Sequence, residues 1–257
     1  MARPLIIAHR GASGHAPENT IAAYRLAIEL GSHFIEADLQ VCSDGHIVAI
    51  HDAVLQRTTN GRGTVAESTL AELRTIDAGR WFDRDFAGQR LSTLEEVLGL
   101  SREAEIGFYF QVGCPFTAEF GRSLIDAVRT VDAIGRVVVV SSDPTALAAL
   151  GKLDDAAISC LLIEAAQPHS DAVEKAARCG ARQVCLREDL VTAEVVNCAH
   201  QAGLLAVAWT VNPPGRMRAL LSTGVDRIVT DFPDRLRAII EDADAQGREP
   251  GSATDAH

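Results

Sequence analysis

Two carboxylates, Glu36 and Asp38, stand two residues apart within the apolar run Phe34–Val41. Residues two apart on an extended strand share a face, so both side chains point to the same side. Buried carboxylates are costly unless a cation or hydrogen bonds compensate them, and hard oxygen ligands suit Mg²⁺ or Ca²⁺. The pair therefore predicts a divalent metal site, while the alternative that Arg10 and backbone amides compensate it stays open.

Two histidines follow short apolar runs, His9 after Leu5–Ala8 and His51 after the segment from His46. Histidine titrates near neutrality, so such a pair can share acid and base catalysis across a phosphodiester. Arg10 offers a planar fork that suits phosphate. The remaining histidines are interpreted as surface or packing residues: His15, His33, His46, His169, His200 and His257.

Three further motifs admit more than one interpretation. Glu18 lies in the stretch PENT, where Asn19 or Thr20 is a candidate N-cap, and Glu18 can still hydrogen-bond a catalytic group. Trp209, in WTVNPP, is either an aromatic wall of a pocket or a core residue. TTNGRG lacks the strand-to-helix setting of a phosphate-binding loop and is interpreted as a turn.

Short apolar runs alternate with amphipathic stretches along the chain, which predicts a parallel sheet covered by helices. Eight runs favour closure into a (β/α)8 barrel, with a doubly wound open sheet as the alternative. In a barrel the ends of the strands would bring the polar residues together. The runs are Leu5–Ala8, Phe34–Val41, Ile106–Val112, Val137–Val140, Ile158–Ile163, Val184–Leu186, Leu204–Val211 and Ile228–Val229.

The alternation is interrupted after the second run, where a turn at Ser43–Gly45 precedes another short strand and then a long polar stretch. We expect one barrel domain over residues 1–246, with an insertion over about residues 43–92. The tail 247–257 has the composition of a disordered segment.

The composition restricts the class of protein. A net charge of −11 over 257 residues argues against nucleic acid and against anionic membrane surfaces as partners. No apolar stretch is long enough to span a membrane, and the N-terminus lacks a secretory pattern, so we expect a cytoplasmic protein. The six scattered cysteines indicate buried thiols. The oligomeric state, a homo-oligomer included, stays open.

The chain resembles the glycerophosphodiester phosphodiesterase family in an ordered series of segments from His9 to about Pro233. These are AHRGASGHAPENT, FIEADLQVCSDGHIVAIHD, LQRTTNGRGTV, LSTLEEVL, VVVSSDPTAL, AWTVN and VTDFP. The resemblance implies a TIM barrel with a small insertion after the second strand. It also implies cleavage of small-molecule glycerophosphodiesters into sn-glycerol 3-phosphate and an alcohol, with a divalent cation, Mg²⁺ or Ca²⁺.

The resemblance also implies roles for individual residues. His9 and His51 would be the acid and base pair, and Glu36 and Asp38 metal ligands. In addition, Arg10 would contact the phosphate and Trp209 the glycerol. The first nucleophile would be the glycerol hydroxyl of the substrate, which leads through a cyclic phosphate.

The third predicted strand, in GFYFQVGCPF, departs from the family pattern. Gln111 stands where the family has a metal-binding glutamate, and Gly113 where it has a phosphate-pairing lysine. An amide oxygen still coordinates Mg²⁺ or Ca²⁺, so Gln111 is kept as a candidate ligand, and Arg187 is a candidate replacement for the lysine. Three hypotheses follow: an active metal-dependent phosphodiesterase, a weak or inactive relative that binds phosphodiesters, and a lyase that releases a cyclic phosphate.

Overall fold

The structure, a computed structural model, describes residues 3–164 and 169–247. Over these residues the chain forms ten strands. In chain order they are β1 (Leu5–Ala8), β2 (Phe34–Val41), β3 (Ile47–Ala49), β4 (Ser92–Thr93), β5 (Gly107–Val112), β6 (Val137–Ser141), β7 (Ile158–Ile163), β8 (Gln183–Arg187), β9 (Leu205–Trp209) and β10 (Arg227–Thr230).

Eight of these strands are parallel and close into a barrel. The order is β1, β10, β9, β8, β7, β6, β5 and β2, and β2 pairs again with β1. Leu5 lies opposite Arg227 on one side of β1, and Ile7 lies opposite Phe34 on the other. The predicted (β/α)8 barrel is therefore confirmed, and the open sheet is wrong because its two edges pair with each other.

The helices follow the strands in the expected alternation. Thr20, Thr69, Thr93, Thr117 and Thr192 each cap a helix by accepting a backbone N–H. The helices are α1 (Ile21–Glu29), α2 (Leu70–Leu73), α3 (Leu94–Ala104), α4 (Ala118–Thr130), α5 (Pro144–Leu153), α6 (His169–Arg178), α7 (Ala193–Gln201), α8 (Pro214–Leu221) and α9 (Pro233–Gly247).

The barrel interior is filled by side chains that alternate along the strands. The interior cluster consists of Ile7, Tyr109, Val138, Val140, Cys160, Leu162, Cys185, Val207 and Val229. Two larger apolar clusters lie between the strands and the surrounding helices. All six cysteines are free, three of them buried and three half-buried. The interior is thus a packed core, and polar chemistry is confined to its ends.

The segment predicted as an insertion adds β3 and β4, which extend the sheet antiparallel from β2. It also contains α2 and a short 3-10 helix at Arg84–Phe86. A small core of its own includes Leu55, Val65 and Leu73. Helix α2 and this core went unrecognised in the sequence because the segment shows little periodicity.

The predicted tail from Gly247 lies outside the described residues, except that Gly247 itself ends α9. Across residues 3–164 and 169–247, no helix is both long and apolar enough to cross a membrane.

His33 supports the first barrel strand, because its Nδ1 accepts the backbone N–H of Ile6 at 3.0 Å. Burial lowers the pKa of His33, and the positive charge of Arg237 lowers it further. The folded state therefore takes up the proton less readily than the unfolded state, whose histidine pKa is about 6.5. This contribution to stability is present above the unfolded pKa and is lost as the pH falls toward the folded pKa.

We expect His33→Ala to lower the free energy of unfolding at pH 7.5 by about 0.5–1.5 kcal/mol, because the N–H of Ile6 loses an acceptor that water replaces only in part. The variant should also lose less stability than the wild type between pH 7 and pH 5 (roughly the window set by histidine). Denaturant unfolding at several pH values measures both effects. His46→Ala, at an exposed position, is the control. Parallel pH profiles of His33→Ala and wild type would contradict the prediction.

Candidate active site

The candidate residues gather at the carboxyl ends of the barrel strands. His9 follows β1, whereas Glu36 and Asp38 lie on β2 and Gln111 on β5. Arg187 and Trp209 are the last residues of β8 and β9. Because parallel strands end on the same side of a barrel, they lie on the face where barrel enzymes carry their sites.

His9 is held by a carboxylate from the far end of the chain. Its Nδ1 lies 2.6 Å from Oδ1 of Asp231, which follows β10. Asp231 also accepts hydrogen bonds from Ser13 Oγ at 2.9 Å and from Asn212 Nδ2 at 2.5 Å. Burial raises the pKa of Asp231, but these bonds outweigh burial, so the pKa lies below its usual value. The ionised carboxylate orients the imidazole and leaves Nε2 for chemistry.

His51 is held in a similar way by its neighbour in the sequence. Its Nδ1 lies 2.6 Å from Oδ1 of Asp52, and its backbone carbonyl accepts Gln40 Nε2 at 3.1 Å. Hydrogen bonds from Arg57 lower the pKa of Asp52 to about 2, against the effect of burial and with a further contribution from His51. Both histidines therefore have a carboxylate at Nδ1.

Arg10 adopts a left-handed backbone conformation, with φ of 55°. This turns its backbone N–H toward Glu36 Oε2 at 2.9 Å. Its guanidinium donates to Glu18 Oε1 at 2.9 Å, and its Nε lies 3.0 Å from Asp38 Oδ2. Burial lowers the pKa of Arg10, but the carboxylates of Asp38, Glu36 and Glu18 outweigh burial and raise it. Arg10 is thus a cation fixed among three acids.

Gly11 lets the loop after Arg10 pass close to α1. Its φ is 83°, and a Cβ there would lie 2.6 Å from the backbone carbon of Ala23 on α1. A side chain at this position would push the loop away from α1. The glycine in the HRG stretch is therefore required by a close approach of two backbones.

Glu36 and Asp38 are both buried, with exposed fractions of 6% and 2%. Asp38 Oδ2 accepts Asn19 Nδ2 at 2.9 Å. Glu36 Oε1, by contrast, is buried and has no hydrogen-bond partner among the described residues. Burial raises the pKa of Glu36 well above its usual value, and the charge of Asp38 raises it further. An acid with an unsatisfied buried oxygen fits a bound cation.

Asn19 and Thr20, which were both candidates for the N-cap of α1, have different roles in the structure. Thr20 is the N-cap of α1 and accepts the backbone N–H of Ala23. Asn19, with φ of 57°, instead donates to Asp38 and accepts a hydrogen bond from Tyr24 Oη at 3.0 Å. Asn19 therefore links α1 to the second barrel strand and orients Asp38.

The position of the third expected metal ligand is occupied by Gln111, which lies opposite Asp38 in the register of β2 and β5. Within the described residues, no group of three or more His, Cys, Asp or Glu side chains forms a metal-binding cluster. Glu36, Asp38 and the amide of Gln111 are oxygen donors of the kind that Mg²⁺ and Ca²⁺ accept. The residues present fit a divalent cation with two carboxylates.

Gly113 faces the side chain of Gln40. A Cβ at Gly113 would lie 2.6 Å from Gln40 Nε2, which donates to the carbonyls of Gly113 and His51. A lysine at this position would require the end of the Gln40 side chain to move. The absence of the family lysine is thus accompanied by an amide that ties β2 to β5 and to His51.

Arg187 and Trp209 both lie at the carboxyl ends of barrel strands, but their side chains have different surroundings. The Arg187 guanidinium pairs with Asp189, with Nε 2.6 Å from Oδ1, and also donates to the carbonyl of Glu164. Trp209 packs against the interior cluster, and its Nε1 is buried without a hydrogen-bond partner in the described part of the chain. Trp209 therefore combines core packing with an unused donor, and Arg187 is engaged by an acid of its own.

Several residues of this site were not singled out from the sequence as supports: Asn19, Gln40, Asp52, Arg57, Asn212 and Asp231. Asp52 and Asp231 had a visible signal, since each follows an apolar run next to a candidate histidine or strand end. Gln40 also had one, because it shares the face of Glu36 and Asp38 on β2. The contacts of Arg57 and Asn212 arise from loops and had none.

Comparisons with known proteins identify the family of this chain. A sequence model of the glycerophosphoryl diester phosphodiesterase family matches residues 9–235. A glycerophosphodiester phosphodiesterase of Caldanaerobacter subterraneus is 34% identical over 236 residues, covering 91% of this chain and 96% of the relative.

Two solved structures have the same fold. An Oleispira antarctica phosphodiesterase in complex with the product sn-glycerol-3-phosphate aligns with a TM-score of 0.85 at 25% identity, covering 93% of this chain and 97% of that one. A glycerophosphodiester phosphodiesterase from Agrobacterium tumefaciens aligns with a TM-score of 0.81 at 27% identity, covering 91% and 99%.

The closed barrel and the family match together identify a TIM-barrel phosphoric diester hydrolase. The match over residues 9–235 and the identity to the Caldanaerobacter enzyme show that the chain belongs to the glycerophosphoryl diester phosphodiesterase family. The family predicted from the segments beginning at His9 is confirmed.

Proposed function

We propose that this chain hydrolyses small-molecule glycerophosphodiesters to sn-glycerol 3-phosphate and an alcohol. The observation that carries the proposal is the pair of carboxylate-backed histidines, His9 with Asp231 and His51 with Asp52, beside buried Glu36 and Asp38. The sn-glycerol-3-phosphate complex of the Oleispira structure supports this choice of product.

In this proposal His9 and His51 each transfer protons to and from the substrate through Nε2, since the Nδ1 of each ring faces a carboxylate. One imidazole accepts the proton of the glycerol hydroxyl that attacks the phosphorus, and the other protonates the alcohol that leaves. Water then opens the resulting cyclic phosphate with the two imidazoles in reversed roles, which gives sn-glycerol 3-phosphate. Arg10 binds the phosphate, and Trp209 lies against the glycerol. A divalent cation held by Glu36, Asp38 and Gln111 would neutralise the non-bridging oxygens and polarise the phosphorus.

A second candidate, a weak or inactive relative that binds phosphodiesters, is favoured by one observation. Gln111 and Gly113 remove an acid and a base relative to the family pattern, and Arg10 is engaged by Glu18 and Asp38. The cation therefore has one carboxylate fewer, and the phosphate one positive charge fewer. Hydrolysis is the stronger candidate because a pure binder has no need for two oriented histidines.

The test is turnover of a panel of glycerophosphodiesters by the purified chain with Mg²⁺, Ca²⁺, Mn²⁺ or a chelator. We expect metal-dependent release of sn-glycerol 3-phosphate. Accumulation of a cyclic phosphate would instead identify a lyase. The proposal would be overturned if the wild type showed no turnover with any metal while Gln111→Glu/Gly113→Lys was active. That result would identify a binding protein.

Gln111→Glu alone should raise the affinity for Mg²⁺ or Ca²⁺ by about 10-fold, because affinity at such sites follows the number of ligand charges. Without cation the variant should melt below the wild type, since a third acid joins Glu36 and Asp38. Melting temperature as a function of cation concentration measures both effects. Gln201→Glu, an exposed position on α7, adds the same charge elsewhere and should leave the affinity unchanged. Equal cation affinities for both variants would exclude Gln111 as a ligand position.

A further inference from the structure

Arg57 lies in the insertion, between β3 and α2, six residues after the candidate catalytic His51, whereas His9 and the candidate metal ligands belong to the barrel. The backbone around it is well anchored. Leu55 is buried in the core of the insertion, and Thr58 and Thr59 are buried on the other side. Thr59 Oγ1 donates to the carbonyl of Leu55 at 2.5 Å. The backbone that carries Arg57 is therefore held in place by buried neighbours on both sides.

The guanidinium of Arg57 contacts two carboxylates at once. Its two terminal nitrogens donate to the two oxygens of Glu18, both at 2.8 Å. Its Nε donates to Asp52 Oδ2 at 2.6 Å, and a terminal nitrogen reaches Asp52 Oδ1 at 3.2 Å. Only the planar fork of arginine pairs with two carboxylates in this way.

Each of these carboxylates has a second partner in the candidate site. Glu18 Oε1 also accepts Arg10, at 2.9 Å. Asp52 Oδ1 also lies 2.6 Å from His51 Nδ1. Arg57 thus joins the acid that holds the candidate phosphate-binding arginine to the acid that holds the candidate catalytic histidine. Gln40 also links β2 to the His51 backbone, but Arg57 acts on the two carboxylates themselves.

Stability alone gives little reason for this arrangement. The Arg57 side chain is 43% exposed, so solvent screens its ion pairs, and even the two-point geometry with Glu18 contributes only modestly to the free energy of folding. Catalysis, in contrast, depends strongly on position, since displacements of about 1 Å can lower rates by about 10²-fold. The hydrogen bonds of Arg57 are therefore expected to matter more for the orientation of Asp52 and Glu18 than for the stability of the fold.

We propose that Arg57 is a positioning residue of this site. It fixes Asp52 so that His51 carries its proton on Nδ1, and it fixes Glu18 so that Arg10 keeps its place beside the phosphate. The inference rests on the proposed function for its catalytic consequence, but the effect on His51 exists whether or not the chain turns over substrate. The insertion then contributes a positioning residue to the site in addition to His51.

The experiment compares Arg57→Ala with Arg74→Ala in the full chain. Arg74 is a matched control, because it lies in the same insertion, is similarly exposed at 38%, and makes a two-point ion pair with Glu96. We expect Arg57→Ala to lower kcat by about 10–100-fold with KM changed less than about threefold. Added guanidinium ion should restore part of the activity. Arg74→Ala should stay within about twofold of the wild type.

A second measurement is independent of turnover. Nitrogen-15 chemical shifts of histidine report which ring nitrogen carries the proton, and His51→Gln assigns the signal of His51. In the wild type and in Arg74→Ala we expect the Nδ1–H tautomer of His51, and in Arg57→Ala a mixture of tautomers. Melting temperatures of the two alanine variants should agree.

The outcomes separate the two proposals. If the wild type is silent on every glycerophosphodiester, the proposed function fails, and the tautomer of His51 alone decides the case for Arg57. If Arg57→Ala keeps both kcat and the His51 tautomer of the wild type, the inference is overturned. Equal losses of kcat in Arg57→Ala and Arg74→Ala would also overturn it, because they would indicate a general effect on the insertion.

Discussion

Replacing His9 by alanine is expected to lower kcat/KM by about 10³-fold, within the range for loss of an acid-base catalyst. The imidazole is removed together with its link to Asp231, and no other described side chain pairs with Asp231 as a proton carrier. Steady-state kinetics on the best substrate of the panel measure the loss. Asp231→Asn should also lower kcat/KM strongly, because the imidazole stays but loses the charge that holds its tautomer.

His15 provides the matched control for this substitution. It lies in the same loop as His9 and also contacts an aspartate, with Nε2 2.9 Å from Asp234 Oδ1. Its side chain is exposed, and the sequence assigns it no catalytic task. His15→Ala should therefore leave kcat/KM within about twofold. Equal losses in the two alanine variants would refute a specific acid-base function of His9.

Glu36→Gln is expected to change activity and stability in opposite directions. The buried Glu36 Oε1 has no partner in the described residues, and burial and Asp38 raise the pKa of this acid. A neutral amide avoids the cost of either burying or protonating this acid, so we expect the cation-free protein to gain about 1–2 kcal/mol. Loss of a carboxylate ligand should abolish metal-dependent turnover and the rise in melting temperature on addition of Mg²⁺ or Ca²⁺.

Thermal melts with and without cation test this prediction, alongside kinetics. Asp126→Asn, at an exposed position on α4, removes one negative charge away from the site and is the control for net charge. It should leave the cation-dependent rise in melting temperature intact. A cation-dependent rise that persists in Glu36→Gln would show that the cation binds elsewhere. A lower melting temperature without cation would show that Arg10 and the loop already satisfy Glu36.

The opposite signs have a common physical cause. Arg10 offers one guanidinium to Glu18 and Asp38, and its backbone N–H to Glu36. That leaves one carboxylate oxygen unsatisfied, at a place where a cation would satisfy it. Sites that keep such unsatisfied groups commonly sacrifice stability for function.

Local patterns in the chain were sufficient to predict the barrel strands and their order. Runs of apolar residues identify all eight barrel strands, because this signal is local. The spacing of Glu36 and Asp38 also places both on one face of β2 without knowledge of the rest of the chain. These predictions need only neighbours a few residues away.

The contacts between residues that are distant in the sequence could be identified only from the tertiary structure. The contact of His9 with Asp231 joins residues 222 positions apart and exists only because β1 pairs with β10. The contact of Arg57 with Glu18 spans 39 positions and depends on how the insertion folds over the barrel end. The space above Gly113 is likewise set by Gln40 on the neighbouring strand. Such contacts follow from barrel closure and strand register, which no local pattern in the chain encodes.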